Sequence, residues 1–114
     1  MRSPGEGKLL RIFIGEADKH GGRPLYQAII ELLRSEGMAG GTVLRGVEGF
    51  GAHAELHTLR ILALSDDLPI VIECADRSER IEAVLPRLDA MIDEGVVTVE
   101  TVELIVYRRD DGTS

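Results

Sequence analysis

Apolar side chains alternate from residue 8 to 14. Leu10, Ile12 and Ile14 fall on one face, and Leu9, Arg11 and Phe13 on the other. Period two predicts a strand. Residues 15–22 then read as a polar loop closing on Gly21-Gly22. Pro24 suits a first helical position, where its missing N–H would be unpaired anyway. Leu25, Ala28, Ile29, Leu32 and Leu33 recur at helical spacing and form one apolar stripe, which Gly37 ends.

Gly40-Gly41 opens a second strand, from Thr42 to about Val47. Residues 48–58 lack alternation and read as a mobile loop, followed by a short ordered piece over residues 59–64. Ser65-Asp66-Asp67 is a turn. Residues 69–75 form a strand whose Ile70, Ile72 and Cys74 share a face, with Pro69 at its start or on an edge. Asp76 and Glu79 have the spacing of a capping box. Ile81, Val84, Leu85, Leu88 and Ile92 then make a second helical stripe, which Gly95 ends. Pro86 lies inside it and predicts a kink or a split. Residues 96–99 and 102–107 supply a last strand, interrupted near Glu100 and Thr101. This order predicts an α+β, ferredoxin-like βαββαβ sandwich: a four-stranded antiparallel sheet with two helices on one face and right-handed crossovers.

A chain of 114 residues is one domain. We place it at residues 8–108, between a disordered Gly/Pro/Ser-rich N-terminus (1–7) and a disordered polar tail (109–114). Aromatics are 4% with no Trp, so the core is expected to be aliphatic. The net charge of −7 argues against a generally basic nucleic-acid binder. Residues 1–60 hold eight basic and seven acidic side chains, whereas residues 61–114 hold five and thirteen. An anionic ligand would therefore find its cations mainly in the front half. Cys74 is the single cysteine, which excludes an internal disulfide, and its strand position reads as a buried thiol. The absence of a membrane-length apolar run or a signal-peptide pattern makes a cytoplasmic setting the expectation.

The sequence offers little for catalysis. No serine has a histidine nearby, and no nucleophile-elbow pattern is present. His53 and His57 have helical metal-ligand spacing, but Glu55 is misplaced for His-Glu-x-x-His and a third ligand is missing. Gly46, Gly49 and Gly51 follow the second strand closely. Glycines let backbone N–H groups approach a phosphate, or they serve as a loop hinge. Arg45, and Arg108-Arg109 after the last strand, could meet phosphate oxygens with their planar forks.

The run Thr42-Val43-Leu44-Arg45-Gly46-Val47-Glu48-Gly49-Phe50-Gly51 resembles PII-type signalling proteins, which carry Gly-Phe-Gly before a long effector loop. Gly21-Gly22-Arg23-Pro24-Leu25-Tyr26, Asp67-Leu68-Pro69-Ile70-Val71-Ile72-Glu73 and Glu94-Gly95-Val96-Val97-Thr98-Val99 resemble the PII-like domain of unknown function family 190. The resemblance spans about residues 8–108. It implies a homotrimer with adenine nucleotide sites between subunits and a partner-sensing loop at about residues 50–60. Gly49, Phe50 and Gly51 match the nucleotide-side motif. Thr42 matches a threonine near the loop base, and Arg108 falls near basic positions after the last strand. It also points to membrane ion exporters or channels as partners.

Two departures are visible. Typical PII proteins carry a glycine-rich, lysine-containing phosphate loop before the last strand; here Glu94-Gly95-Val96-Val97-Thr98 has one glycine and no lysine. Residues 50–60 contain no Tyr, so uridylylation is not expected. AMP or ADP is therefore as suitable a ligand as ATP, and no firm cofactor is implied. The expectation is a non-enzymatic, trimeric nucleotide-sensing regulator with ligand contacts from Thr42, Arg45, Gly46, Gly49, Phe50, Gly51 and Arg108. The alternatives are a metal- or ion-responsive trimer using the loop histidines and a small enzyme with a site in the subunit cleft.

Overall fold

The computed structural model describes residues 2–50, 56–58 and 67–109. Strand β1 (Arg2–Gly15) leads through a small hairpin, β2 (Lys19–His20) and β3 (Arg23–Pro24), into helix α1 (Leu25–Ser35). Strand β4 (Thr42–Arg45) follows, then a short antiparallel pair, β5 (Glu48–Phe50) and β6 (Leu56–Thr58). Strand β7 (Pro69–Arg77), helix α2 (Ser78–Met91) and strand β8 (Val96–Tyr107) complete the described elements. The main sheet has the order β4-β7-β1-β8, and every neighbouring pair is antiparallel. Each helix therefore joins two parallel strands with an antiparallel one between them, which is the ferredoxin-like arrangement the periodicity predicts.

The pairing register explains the core. Leu10, Ile12 and Ile14 lie opposite Cys74, Ile72 and Ile70. Residues directly opposite one another point to the same side of a sheet, so these six form one apolar face. All six are buried against Leu25, Ile29, Leu32 and Leu33 of α1 and Ile81, Val84 and Leu88 of α2. The buried cluster is aliphatic but for the Cys74 thiol, as the scarcity of aromatics requires.

Helix α1 buries the five residues of its predicted stripe. Pro24 is its N-cap, one position before the expected place. At the other end Gly37 adopts φ +82°, its N–H donates to the Arg34 carbonyl at 3.1 Å, and the Met38 N–H donates to the Leu33 carbonyl at 3.2 Å. This is a Schellman ending, in which a left-handed glycine lets the chain satisfy carbonyls of the last turn.

Several expectations change. Residues 2–7 are strand rather than disordered, because β8 runs on to Tyr107 and pairs with β1 as far as Arg2. The expected break in β8 is absent: Glu100 and Thr101 pair with Leu9 and Lys8. No capping box forms, because β7 continues through Asp76 to Arg77. The buried Asp76 carboxylate accepts hydrogen bonds from the Ala39 N–H at 2.9 Å and the Arg77 N–H at 2.7 Å, tying β7 to the α1–β4 connection. Helix α2 is one element across Pro86. Both Pro86 and Glu82 are exposed, so water can serve the Glu82 carbonyl that the ring leaves without its donor. The loop read over residues 15–22 contains the β2–β3 hairpin, turned by Gly21 and Gly22 at φ +59° and +79° as a type I′ turn demands. The ordered piece expected at 59–64, the turn residues Ser65 and Asp66, and tail residues 110–114 lie outside the described residues.

The last pair between β1 and β7 is Gly7 with Arg77. Beyond it, residues 2–6 pair with β8 alone. They make a two-stranded ribbon that extends about 17 Å past the four-stranded part of the sheet.

Candidate functional site

The C-terminal end of β4 meets the start of β7 at the edge where the loop leaves the sheet. Arg45 pairs with Ile70, and the Gly46 N–H donates to the Pro69 carbonyl at 2.7 Å. A Cβ on Gly46 would stand 2.8 Å from Pro69 Cγ, and one on Gly49 3.0 Å from the same atom. Both glycines are thus accounted for by close passage over the Pro69 ring. The Gly46 N–H is already committed within the protein.

Arg45 forms an ion pair with Glu16, whose side chain is largely buried. The Glu16 N–H donates to the Leu68 carbonyl at 2.7 Å, and the Ala17 N–H to Asp67 Oδ1 at 3.1 Å. Asp18 Oδ2 accepts from the Gly15 N–H at 3.0 Å. These bonds fasten the end of β1, the entry to β7 and Arg45 into one rigid corner beneath the β5–β6 pair, where Gly49 lies opposite His57.

The predicted site residues do not all converge. Arg45, Gly46, Gly49 and the backbone of Phe50 share this corner. Thr42 starts β4 opposite Glu73, and Arg45 falls on the other side of the strand from it. Arg108 follows β8, at the level of Arg2. The corner stands at the level of Phe13 to Gly15, so within one protomer about 37 Å of ladder separates Arg108 from it. Gly51 and His53 lie outside the described residues. No group of three potential metal ligands exists among the described residues.

The alternation did not reveal the use of the second sheet face. Leu44, Val71, Phe13 and Val96 lie in register across all four strands, on the side away from the helices. Phe13 is 39% exposed, Leu44 48% and Val96 57%. The adjacent row reads Thr42, Glu73, Arg11 and Thr98. Arg11 Nε donates to Glu73 at 2.8 Å, and a terminal nitrogen donates to Glu100 at 3.0 Å. The hydrogen bond to Glu73, joined by the charges of Glu73 and Glu100, outweighs partial burial and raises the Arg11 pKa above its ordinary value. The signal was present in residues 8–14: a strand with large apolar side chains on both faces belongs to a sheet covered on both sides.

A ferredoxin-like sandwich whose second strand ends in close-packed glycines at the base of a loop defines this molecule as a PII-like protein. Structures of CPII, a nitrogen regulatory PII-like protein from Thiomonas intermedia K12, share the fold. One, bound to ADP, AMP and bicarbonate, superposes with a TM-score of 0.61 at 24% identity, covering 90% of this chain and 91% of that one. Another, bound to ADP and bicarbonate, has a TM-score of 0.56 at 27% identity, with the same coverage of 90% and 91%. The sequence pattern of the DUF190 family, described as Uncharacterized ACR, matches residues 7–104. The chain belongs to that family. A UPF0166 protein of Aquifex aeolicus is 35% identical over 98 residues, covering 86% of this chain and 92% of that protein. One from Methanocaldococcus jannaschii is 37% identical over 95 residues, covering 82% and 87%.

Proposed function

We propose that this chain is a non-enzymatic, PII-like regulator. It assembles as a homotrimer, binds an adenine nucleotide between subunits, and presents the loop beyond Gly51 to a partner. One observation carries the reading: the likeness, at 27% identity over 90% of the chain, to a PII-like protein bound to ADP and bicarbonate. Two features of the molecule support it. The apolar row of Leu44, Val71, Phe13 and Val96 calls for a cover that a neighbouring subunit would supply. The separation of Arg108 from the Arg45–Gly49 corner means that a site using both must be built from two protomers.

The ligand would be AMP or ADP as readily as ATP, since the connection before β8 carries Asp93 and Glu94 rather than a lysine. Ligand binding would order the loop after Gly51 and change the face shown to the partner. A membrane ion exporter or channel is the partner that the family resemblance favours.

Calorimetry with ADP, AMP and ATP, paired with native mass spectrometry, tests this. Saturable heat with at least one nucleotide and a mass of three subunits are expected. No heat with any of the three at millimolar concentration, from a protein that stays monomeric, overturns the reading.

A further inference from the structure

Arg45 and Glu16 are remote in sequence and are brought together by the sheet. Arg45 pairs with Ile70, and Ile70 lies opposite Ile14 on the helix side. Glu16 follows Ile14 by two residues, and its carboxylate meets the Arg45 guanidinium across the entry to β7. The two partners are unlike. The Glu16 side chain is 15% exposed, and its backbone is fixed by the bond from its N–H to the Leu68 carbonyl. The neighbouring Gly15 and Ala17 N–H groups are held by Asp18 and Asp67. The Arg45 side chain is 60% exposed and stands at the base of the β5–β6 pair.

Arg11 supplies the contrast. Its fork is committed on two sides, through Nε to Glu73 and through a terminal nitrogen to Glu100. Arg45 commits one terminal nitrogen to Glu16, and no other acceptor among the described residues takes its remaining donors. A planar guanidinium with open donors can receive a second anion. Glu16 is rigid and half-sunk in the corner, so in any exchange of partners Arg45 is the group that moves.

We propose that Glu16 is an intramolecular competitor for Arg45 and so selects ligands by charge. A phosphate monoester takes Arg45 from Glu16, and a singly charged acid group does not. The attraction of an anion to one cation grows with the anion's charge. A monoanion offers Arg45 no more than the Glu16 carboxylate does, and Glu16, tethered to the same fold, acts at a high effective concentration. A terminal phosphate carries about −1.5 to −2 near pH 7 and several acceptor oxygens, so it offers more. The exchange leaves a largely buried carboxylate without its cation, in a corner that also holds Asp18 and Asp67. That cost is the same for every ligand and acts as a threshold. The inference rests on the nucleotide reading given above and adds to it the residue that selects charge.

Calorimetry with AMP, adenosine 5′-sulfate and adenosine is the test. The sulfate ester has the shape of AMP and a single negative charge. The wild type should bind AMP about ten-fold tighter than the sulfate ester, and the sulfate ester no tighter than adenosine. Glu16→Gln keeps the shape of the side chain and removes the competing charge. It should tighten AMP and the sulfate ester about ten-fold and leave adenosine unchanged. A Glu16 that only braces the corner would, when neutralised, loosen all three. Arg45→Gln should bring AMP down to the level of adenosine. A wild type that binds the sulfate ester clearly tighter than adenosine overturns the selection, and this comparison decides even where Glu16→Gln fails to fold. A folded Glu16→Gln protein that does not gain affinity for AMP also overturns it, while the nucleotide reading stands. A wild type without heat from AMP overturns the selection too; heat from ADP or ATP with that same protein keeps the nucleotide reading, and silence with all three ends both.

Discussion

Cys74 shows how one position on a strand sets chemistry. Its alternation with Ile70 and Ile72 puts the thiol in the core, where it is 3% exposed. Burial, assisted by the charge of Asp76, pushes its pKa up from 9.0 to about 11. The folded state therefore keeps a proton that the unfolded state loses at lower pH. This contribution to stability is whole below about pH 9 and declines as pH rises toward about 11. We expect the unfolding free energy of the wild type, read from urea curves, to fall across that window by roughly 2–3 kcal/mol at most. Cys74→Ala, which has no thiol to ionise, should lack this component. A thiol reagent near neutral pH should label the unfolded protein and spare the folded one.

Other residues took meanings that only their neighbours supply. Gly46 and Gly49 are visible in the sequence as a cluster that could hold an anion or form a hinge. The Pro69 ring, twenty residues or more away, is what they make room for. Asp76 has the spacing of a helix cap, yet its carboxylate bonds to Ala39 across the fold. In both cases the deciding contact is remote in sequence, so no local pattern could announce it.

At the scale of elements, the helices and central strands were legible because one periodicity states each of them. The stripe Leu25, Ala28, Ile29, Leu32, Leu33 is the set that α1 buries. The set Leu10, Ile12, Ile14 is likewise the buried side of β1. Element ends were less legible. Gly5 and Pro4 weaken a strand intrinsically, and pairing with β8 overrides that preference. Pro86 opposes helix formation, and the packing of Val84 and Leu88 on either side of it holds α2 together. Pro86→Ala restores a hydrogen bond at an exposed site and should stabilise the protein. The expected gain is about 1–3 kcal/mol, read from urea unfolding. An unchanged midpoint would mean that the ring costs this helix nothing.

Among the described residues, one sheet face is closed by helices and the other is left open. The open face carries the apolar row ending in Phe13 and Val96 beside the Arg11–Glu73–Glu100 ion pairs. If a second copy covers it, Phe13→Asp places a charge in the contact. We expect that variant to run as a monomer in size-exclusion chromatography with light scattering, with wild-type secondary structure, because Phe13 lies outside the helix-side core. Retention of the wild-type assembly would remove the row from the interface.

The sequence by itself determined the two helical stripes, the inward faces of β1 and β7, and with them the ferredoxin-like order, since each is a repeat within a few residues of chain. The PII-like resemblance was also readable there, in the glycine-bounded segment after β4. Tertiary structure alone decided that the Arg45 corner and Arg108 lie at opposite ends of a long ladder, that β1 and β8 extend as a ribbon, and that four apolar residues line up on the uncovered face. These are relations between strands far apart in sequence, set by pairing register, and register is a property of the assembled sheet.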